Sequence, residues 1–253
     1  MKTLKHPLRY ILLFVLIIFA CSNSDDSVAM EEETAATNYN ITSILSKFKG
    51  TGLSYAVNGN TVTFTTQDLP NHTSPYWDSS HALYEEYTGT NTNWNKNPNS
   101  IGEQNITFTI SLNPKEATIK SETPMGPIGI SRNGVVFFNQ YAAGGAALTN
   151  EIDSFDQWLG HPAGTQYHYH IEPTYLTNQF GKSAFLGLLS DGFPVYGPLE
   201  NGSTITSSDL DDYHGHVSAT EDFPEGIYHY HITSDAPYLN GNGFFGTAGS
   251  ITR

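Results

Sequence analysis

One cysteine, Cys21, occurs in 253 residues, and no basic cluster follows the first nine. A single thiol excludes an internal disulfide, a thiolate metal cluster and a paired-cysteine redox site. Stability must then come from a packed core, from bound metal, or from both. Lysine and arginine together number 11 against 25 acidic residues, a net charge of −14. Recognition of a phosphate backbone needs basic patches, so nucleic acid is excluded as a partner, as is electrostatic docking on anionic lipid. The sequence has no Walker loop, dinucleotide fingerprint, Gly-x-Ser-x-Gly elbow or His-Glu-x-x-His pair. It also lacks any long stretch with a 3.6-residue apolar period.

The one unbroken apolar run, Tyr10 to Ala20, is eleven residues long, too short to span a bilayer. It follows Lys2, Lys5 and Arg9 and ends at Ile18-Phe19-Ala20-Cys21, which reads as an export signal over residues 1–20. The junction resembles a bacterial lipobox, with Cys21 as the lipidated first residue of the mature chain. Ser22-Asn23-Ser24-Asp25-Asp26 resembles the Asp-rich surface-export signal of Bacteroidota lipoproteins. These features predict a protein of the cell envelope, held on the outer membrane by lipid and facing the exterior. Without the three leading basic residues, 8 basic residues stand against 25 acidic, a net charge of −17. Such a surface favours solubility and attracts cations.

The remaining composition is rich in Gly, Asn, Thr, Ser, Tyr and Phe, which suits a turn-rich β protein. Residues 21–45 read as an acidic tether, with a short helical turn near Ile41 to Phe48. Residues 46–119 read as an N-terminal β segment. Tyr55 to Phe64 has the pattern of a hairpin turning at Asn58-Gly59, and Asn105 to Leu112 alternates with a period of two. Between them, Asp68 to Asn99 reads as ordered loop, with Tyr84-Glu85-Glu86-Tyr87 as a short helix.

Residues 120–253 repeat themselves. Asn133-Gly134 and Asp191-Gly192 each open a turn into a strand. Acidic loops follow, with Asp153 and Asp156 in the first copy and Asp209, Asp211 and Asp212 in the second. Then come Gly160-His161 and Gly215-His216, the tetrads Tyr167-His168-Tyr169-His170 and Tyr228-His229-Tyr230-His231, and Tyr175-Leu176 and Tyr238-Leu239. Two such copies are expected to pack face to face about a pseudo-two-fold axis, building one shared site or two equivalent sites.

Alternation places His168 and His170 on one strand face and Tyr167 and Tyr169 on the other, and likewise for His229 and His231 against Tyr228 and Tyr230. A His-x-His pair on a strand is a two-point clamp for a transition metal. His161 and His216 supply third ligands, so the six histidines form three matched pairs. Seven of the ten histidines fall between His161 and His231. Other readings stand beside this one. Tyr and His also build hydrogen-bonded ladders across sheets, and a histidine paired with Asp156 or Asp211 suits metal-free acid–base chemistry. His72 and His81 are weaker candidates from the N-terminal segment, and His214 has no counterpart in the first copy.

Gly160-His161-Pro162, both tetrads and Asp191-Gly192-Phe193-Pro194-Val195-Tyr196-Gly197-Pro198 together resemble the YHYH-domain family, over roughly Lys120 to Thr247. The resemblance implies an extracellular or envelope protein and no particular reaction. Many relatives carry cysteines near the Gly-His element, whereas Phe155-Asp156-Gln157-Trp158-Leu159 has none. The fold expected is one mainly β domain with few short helices. The leading functional expectation is a surface lipoprotein that binds copper or zinc through its clustered histidines. A metal-dependent extracellular oxidoreductase or hydrolase, acting on a polysaccharide or small molecule, is the second. A non-catalytic module stacking sugars on the aromatic loop from Tyr76 to Trp94 is the third.

Overall fold

The computed structural model describes residues 39–253; the stretch read as an export signal, Cys21 and the acidic stretch through residue 38 lie outside the described residues. The chain joins the fold earlier than a tether ending at 45 allows. Thr42–Lys47 is a 3₁₀ helix, and Ile41, Ile44 and Leu45 are buried. Their i, i+3, i+4 spacing turns all three apolar side chains to one side.

Strand β1 (Thr51–Asn58) and β2 (Thr61–Leu69) form the predicted hairpin, with Asn58 opposite Thr61. The two turn residues are Gly59 and Asn60, and Gly59 has a φ of 57°, a value glycine adopts without strain. Strand β3 (Ile106–Ser111) alternates buried and half-buried positions, as its period of two requires. The predicted helix at Tyr84–Tyr87 is absent. Tyr84 instead bridges to Ser74, and the Glu85 carboxylate accepts hydrogen bonds from Thr73 and Gln157. These long-range partners outweigh a four-residue helical preference.

The histidines sit in an eight-stranded sheet. In chain order its strands are β4 (Pro127–Ser131), β5 (Val136–Phe138), β6 (Gly160–Ala163), β7 (Gln166–Tyr169), β8 (Phe185–Leu189), β9 (Pro194–Tyr196), β10 (Gly215–Ser218) and β11 (Ile227–His231). Their spatial order is β10-β11-β9-β8-β4-β5-β7-β6. The fully buried β4 and β8 pair antiparallel at the centre, with Leu188 opposite Ile130. Outward from each, the pairing is antiparallel, then parallel, then antiparallel. The two tetrad-bearing segments therefore join edge to edge in one sheet, rather than face to face as expected. Unpaired central edges would leave backbone donors and acceptors unsatisfied in the core, and β4–β8 pairing removes that cost.

The N-terminal segment and the repeated part share one unit. The C-terminal strand β12 (Ser250–Thr252) pairs with β3, and Phe244–Gly246 pairs with Glu116–Ser121. A single buried cluster runs from Ile41 through Phe108 and Leu188 to Phe244. It includes Tyr167, Tyr169, Tyr228 and Tyr230. The one α helix among the described residues is short, α1 (Thr174–Phe180). Tyr175-Leu176 lies within it, whereas Tyr238-Leu239 lies outside any helix or strand, so that pair of landmarks does not share a conformation. No helix among the described residues is long and apolar enough to cross a membrane.

Two histidine clusters at opposite edges of the sheet

The tyrosines of each tetrad anchor the strand, and this frees the histidines for the other face. Tyr167 donates to buried Asp156 at 2.9 Å, and Tyr228 donates to Asp211 at 3.0 Å. Each aspartate also closes the turn that leads into the Gly-His strand. Asp156 accepts from the backbone N–H of Trp158 at 2.8 Å and Gly160 at 3.4 Å; Asp211 accepts from those of Tyr213 at 2.9 Å and Gly215 at 3.1 Å. Burial raises the Asp156 pKa to about 6, against the pull of these donors. Glycine is required after each turn. A Cβ on Gly160 or Gly215 would lie 2.4 Å from the hydroxyl of Tyr167 or Tyr228. The aspartates therefore serve the tyrosine face, and the expected pairing of a histidine with Asp156 or Asp211 does not form.

On the opposite face, strand register brings the histidines together. His161 on β6 lies opposite His168 on β7, and His216 on β10 lies opposite His229 on β11. His170 and His231 follow two residues on, on the same face. The structure thus forms two triads, His161–His168–His170 and His216–His229–His231. The matched pairs do not meet: five inter-strand spacings separate β7 from β11, about 24 Å at ~4.8 Å each. Of the two arrangements left open by the sequence, one shared site is excluded.

A glutamate completes each triad. Glu151 joins the first and Glu200 the second, and in each group the candidate ligand atoms lie within 4.8 Å of one another. Glu151 Oε1 is 3.2 Å from His161 Nε2, and Glu200 Oε2 is 3.4 Å from His216 Nε2. Sequence reasoning missed both. Glu151 stands ten residues before its Gly-His histidine and Glu200 sixteen before its own, so no common spacing marks them.

The hydrogen bonds fix which ring nitrogen carries the proton. His168 Nδ1 lies 3.0 Å from the Gln166 carbonyl and His170 Nδ1 2.6 Å from that of Asn139. In the second cluster the partners are Ile227 at 2.9 Å for His229 and Gly197 at 2.8 Å for His231. A carbonyl only accepts, so all four Nδ1 atoms are protonated and all four Nε2 atoms present a bare lone pair. His161 follows by a longer route. The Ser154 hydroxyl donates to the Glu151 carbonyl at 2.7 Å, so it accepts from His161 Nδ1 at 2.8 Å. The Asn97 amide, 3.4 Å from the same nitrogen, donates to the Pro162 carbonyl at 3.1 Å.

These lone pairs converge. His168 Nε2 faces His170 Nε2 at 3.0 Å, and His229 Nε2 faces His231 Nε2 at 3.1 Å. His161 Nε2, His216 Nε2 and Glu151 Oε2 are buried without a hydrogen-bond partner. A shared proton would relieve the contact, but burial opposes it. It lowers the pKa of His170 and His229 to about 4 and that of His168 well below its ordinary value. Each cluster therefore gathers two tetrad imidazoles with bare Nε2 lone pairs, the Gly-His imidazole and one carboxylate, the donor set of a borderline transition ion. An ion with ligands at ~2.0–2.1 Å in tetrahedral array sets them about 3.4 Å apart, close to the contacts present.

The weaker candidates lie elsewhere. His72 is buried on the tyrosine side, with Nε2 3.0 Å from the Tyr169 hydroxyl. His81 is exposed and stacks on Trp77 at 4.0 Å, and His214 Nε2 meets the Thr233 hydroxyl at 3.0 Å. The ring faces needed for sugar stacking are largely taken: Trp77 is buried, and Trp94 stacks on Tyr87 at 4.3 Å with planes 1° apart.

No curated protein and no solved structure matches the chain. The family described as YHYH protein matches residues 107–205 and 199–243, more than half of the chain, and spans both tetrads, Gly-His pairs and glutamates. On that match the chain belongs to the YHYH protein family.

Proposed function

We propose that this YHYH protein is a surface-anchored lipoprotein that holds two transition-metal ions, copper or zinc, one in each triad with its glutamate. The observation that carries the reading is the facing pair of bare Nε2 atoms at 3.0 Å in one cluster and 3.1 Å in the other. Backbone carbonyls lock the opposite nitrogen of each ring in the protonated state, the usual outer support of a metal-bound imidazole. A structural ladder would instead pair each ring nitrogen with a complementary donor or acceptor. Elemental analysis of untagged protein, loaded with copper or zinc and dialysed, tests the reading. Two equivalents per chain are expected, and less than a tenth of an equivalent overturns it. The anchor is tested separately: Cys21→Ser is expected to move the protein from the membrane to the soluble fraction, and unchanged fractionation refutes it.

A second reading, metal-dependent catalysis, needs a ligand position open to substrate. The second cluster favours it, because His229, His231 and Glu200 line a cavity.

A further inference from the structure

The two clusters share a ligand frame but differ in what covers them. In the first, Phe138 stacks on His168 at 3.8 Å, and Phe155 lies parallel to His170 at 5.9 Å and edge-on to His161 at 4.6 Å. His161, His168 and His170 are each at most 2% exposed; His229 and His231 are as buried, so the difference in exposure lies at the Gly-His histidine. In the second, Tyr196 holds the strand position that matches Phe138. It meets His229 edge-on at 5.1 Å, while its hydroxyl reaches away to Thr220 at 2.9 Å and Asp222 at 3.1 Å. Leu210 precedes Asp211 where Phe155 precedes Asp156. Among the described residues, no aromatic ring other than Tyr196 lies against the second triad. The His216 side chain is 26% exposed.

A cavity of ≈ 420 Å³ lies beside the second triad, walled by Tyr196, Asn201, Thr220 and Glu221, with His229 and His231 also lining it. That volume is in the range of small-molecule sites, so it has room for one small molecule. No lysine or arginine lines it, and two glutamates do. An anion entering it meets Glu221 without a compensating cation from the protein, whereas an uncharged donor pays no such cost. We infer that the second cluster is a ligand-exchange site: it takes a small uncharged nitrogen- or oxygen-donor molecule from this cavity onto its metal, and the first cluster is a closed structural site. The inference rests on the two-metal reading and adds to it which ion is accessible and to what chemistry.

The test uses the full chain loaded with cobalt(II), whose visible spectrum responds to a change of ligand, and titrated with imidazole and with azide. Imidazole is expected to alter the spectrum of one cobalt of two. That response is lost in His216→Ala, where one cobalt remains, and kept in His161→Ala. Azide is expected to bind more weakly than imidazole, and to gain affinity in Glu221→Gln while imidazole does not. A response from both ions or from neither overturns the inference while leaving two-metal binding intact, and so does a response that survives His216→Ala. Failure of the wild-type chain to hold cobalt, copper or zinc overturns the two-metal reading itself. Wild-type stoichiometry alone decides between one responsive ion and two, so the outcome does not depend on the variants folding.

Discussion

The separation of the clusters makes the energetics of metal binding predictable as a sum. Sites more than ~10 Å apart with no shared partner contribute additively, and these lie about 24 Å apart across the sheet. An ion that binds only the folded chain at 100 times its dissociation constant stabilises it by about 2.7 kcal/mol, so two ions contribute about 5.4 kcal/mol. For a domain of 150–250 residues each kcal/mol raises Tm by about 2–4 °C, so full loading is expected to raise it by about 11–22 °C. Removing one ligand from a cluster, as in His161→Ala or His216→Ala, weakens that site by about a hundredfold or more, since loss of a supporting partner alone costs ~10–100-fold. At the same free metal the damaged site then contributes about 0.4 kcal/mol. Each single variant should keep somewhat more than half of the metal-induced rise, and the double variant about a seventh or less. Calorimetry with metal and with chelator reads the rise within each protein, so any loss of stability in the metal-free variant cancels. A single variant that abolishes the whole rise would refute independent sites, and so would a wild-type chain whose Tm does not move.

Three further outcomes follow from the scaffold. Asp156→Ala strands the Ser74 and Tyr167 hydroxyls and the Trp158 and Gly160 N–H groups in the interior; it is expected to cost about 3–5 kcal/mol. Asp211→Ala, at an exposed position, should cost about 1 kcal/mol; urea denaturation showing the reverse order would refute this account of the two turns. Gly160→Ala forces Tyr167 or the Gly-His strand to move and should remove metal from the first cluster alone, and Gly215→Ala from the second alone; elemental analysis finding both clusters filled would count against the turn geometry. With chelator present, stability should rise between about pH 4 and 6.5. His72, His170, His214 and His229 titrate near 4 when folded against 6.5 when unfolded, so the unfolded chain binds more protons across that window. Asp156 and Asp191, raised to about 6 by burial, and Asp68, raised well above its ordinary value by burial, act in the opposite sense but are fewer. A metal-free chain more stable at pH 5 than at pH 7 in thermal melts would contradict this.

Much of the site was legible because strand geometry is local. The period of two assigns His168 and His170 to one face and Tyr167 and Tyr169 to the other, whatever the strand packs against. The β1–β2 hairpin and β3 are legible for the same reason. The family resemblance, resting on contiguous tetrads and turns, agrees with the match over residues 107–243. The Tyr84–Tyr87 segment misled because a four-residue preference is weak beside the bridge to Ser74 and the contacts of Glu85. Glu151 and Glu200 were illegible because each reaches its triad through a loop of different length, and loop length carries no periodic signal.

By itself, then, the sequence determined that six histidines share a kind of environment: two on a face of each tetrad strand and one beside each. That follows from backbone alternation and from repetition, both of which are properties of short stretches. Only the tertiary structure decided that they form two clusters and not one. The deciding contact is the pairing of β4 with β8, two strands that carry no histidine, which satisfies two buried strand edges and so places the triads at opposite ends of one sheet. The enclosure of one cluster by Phe138 and Phe155, and the opening of the other beneath Tyr196, was likewise decided by packing between segments distant in the chain.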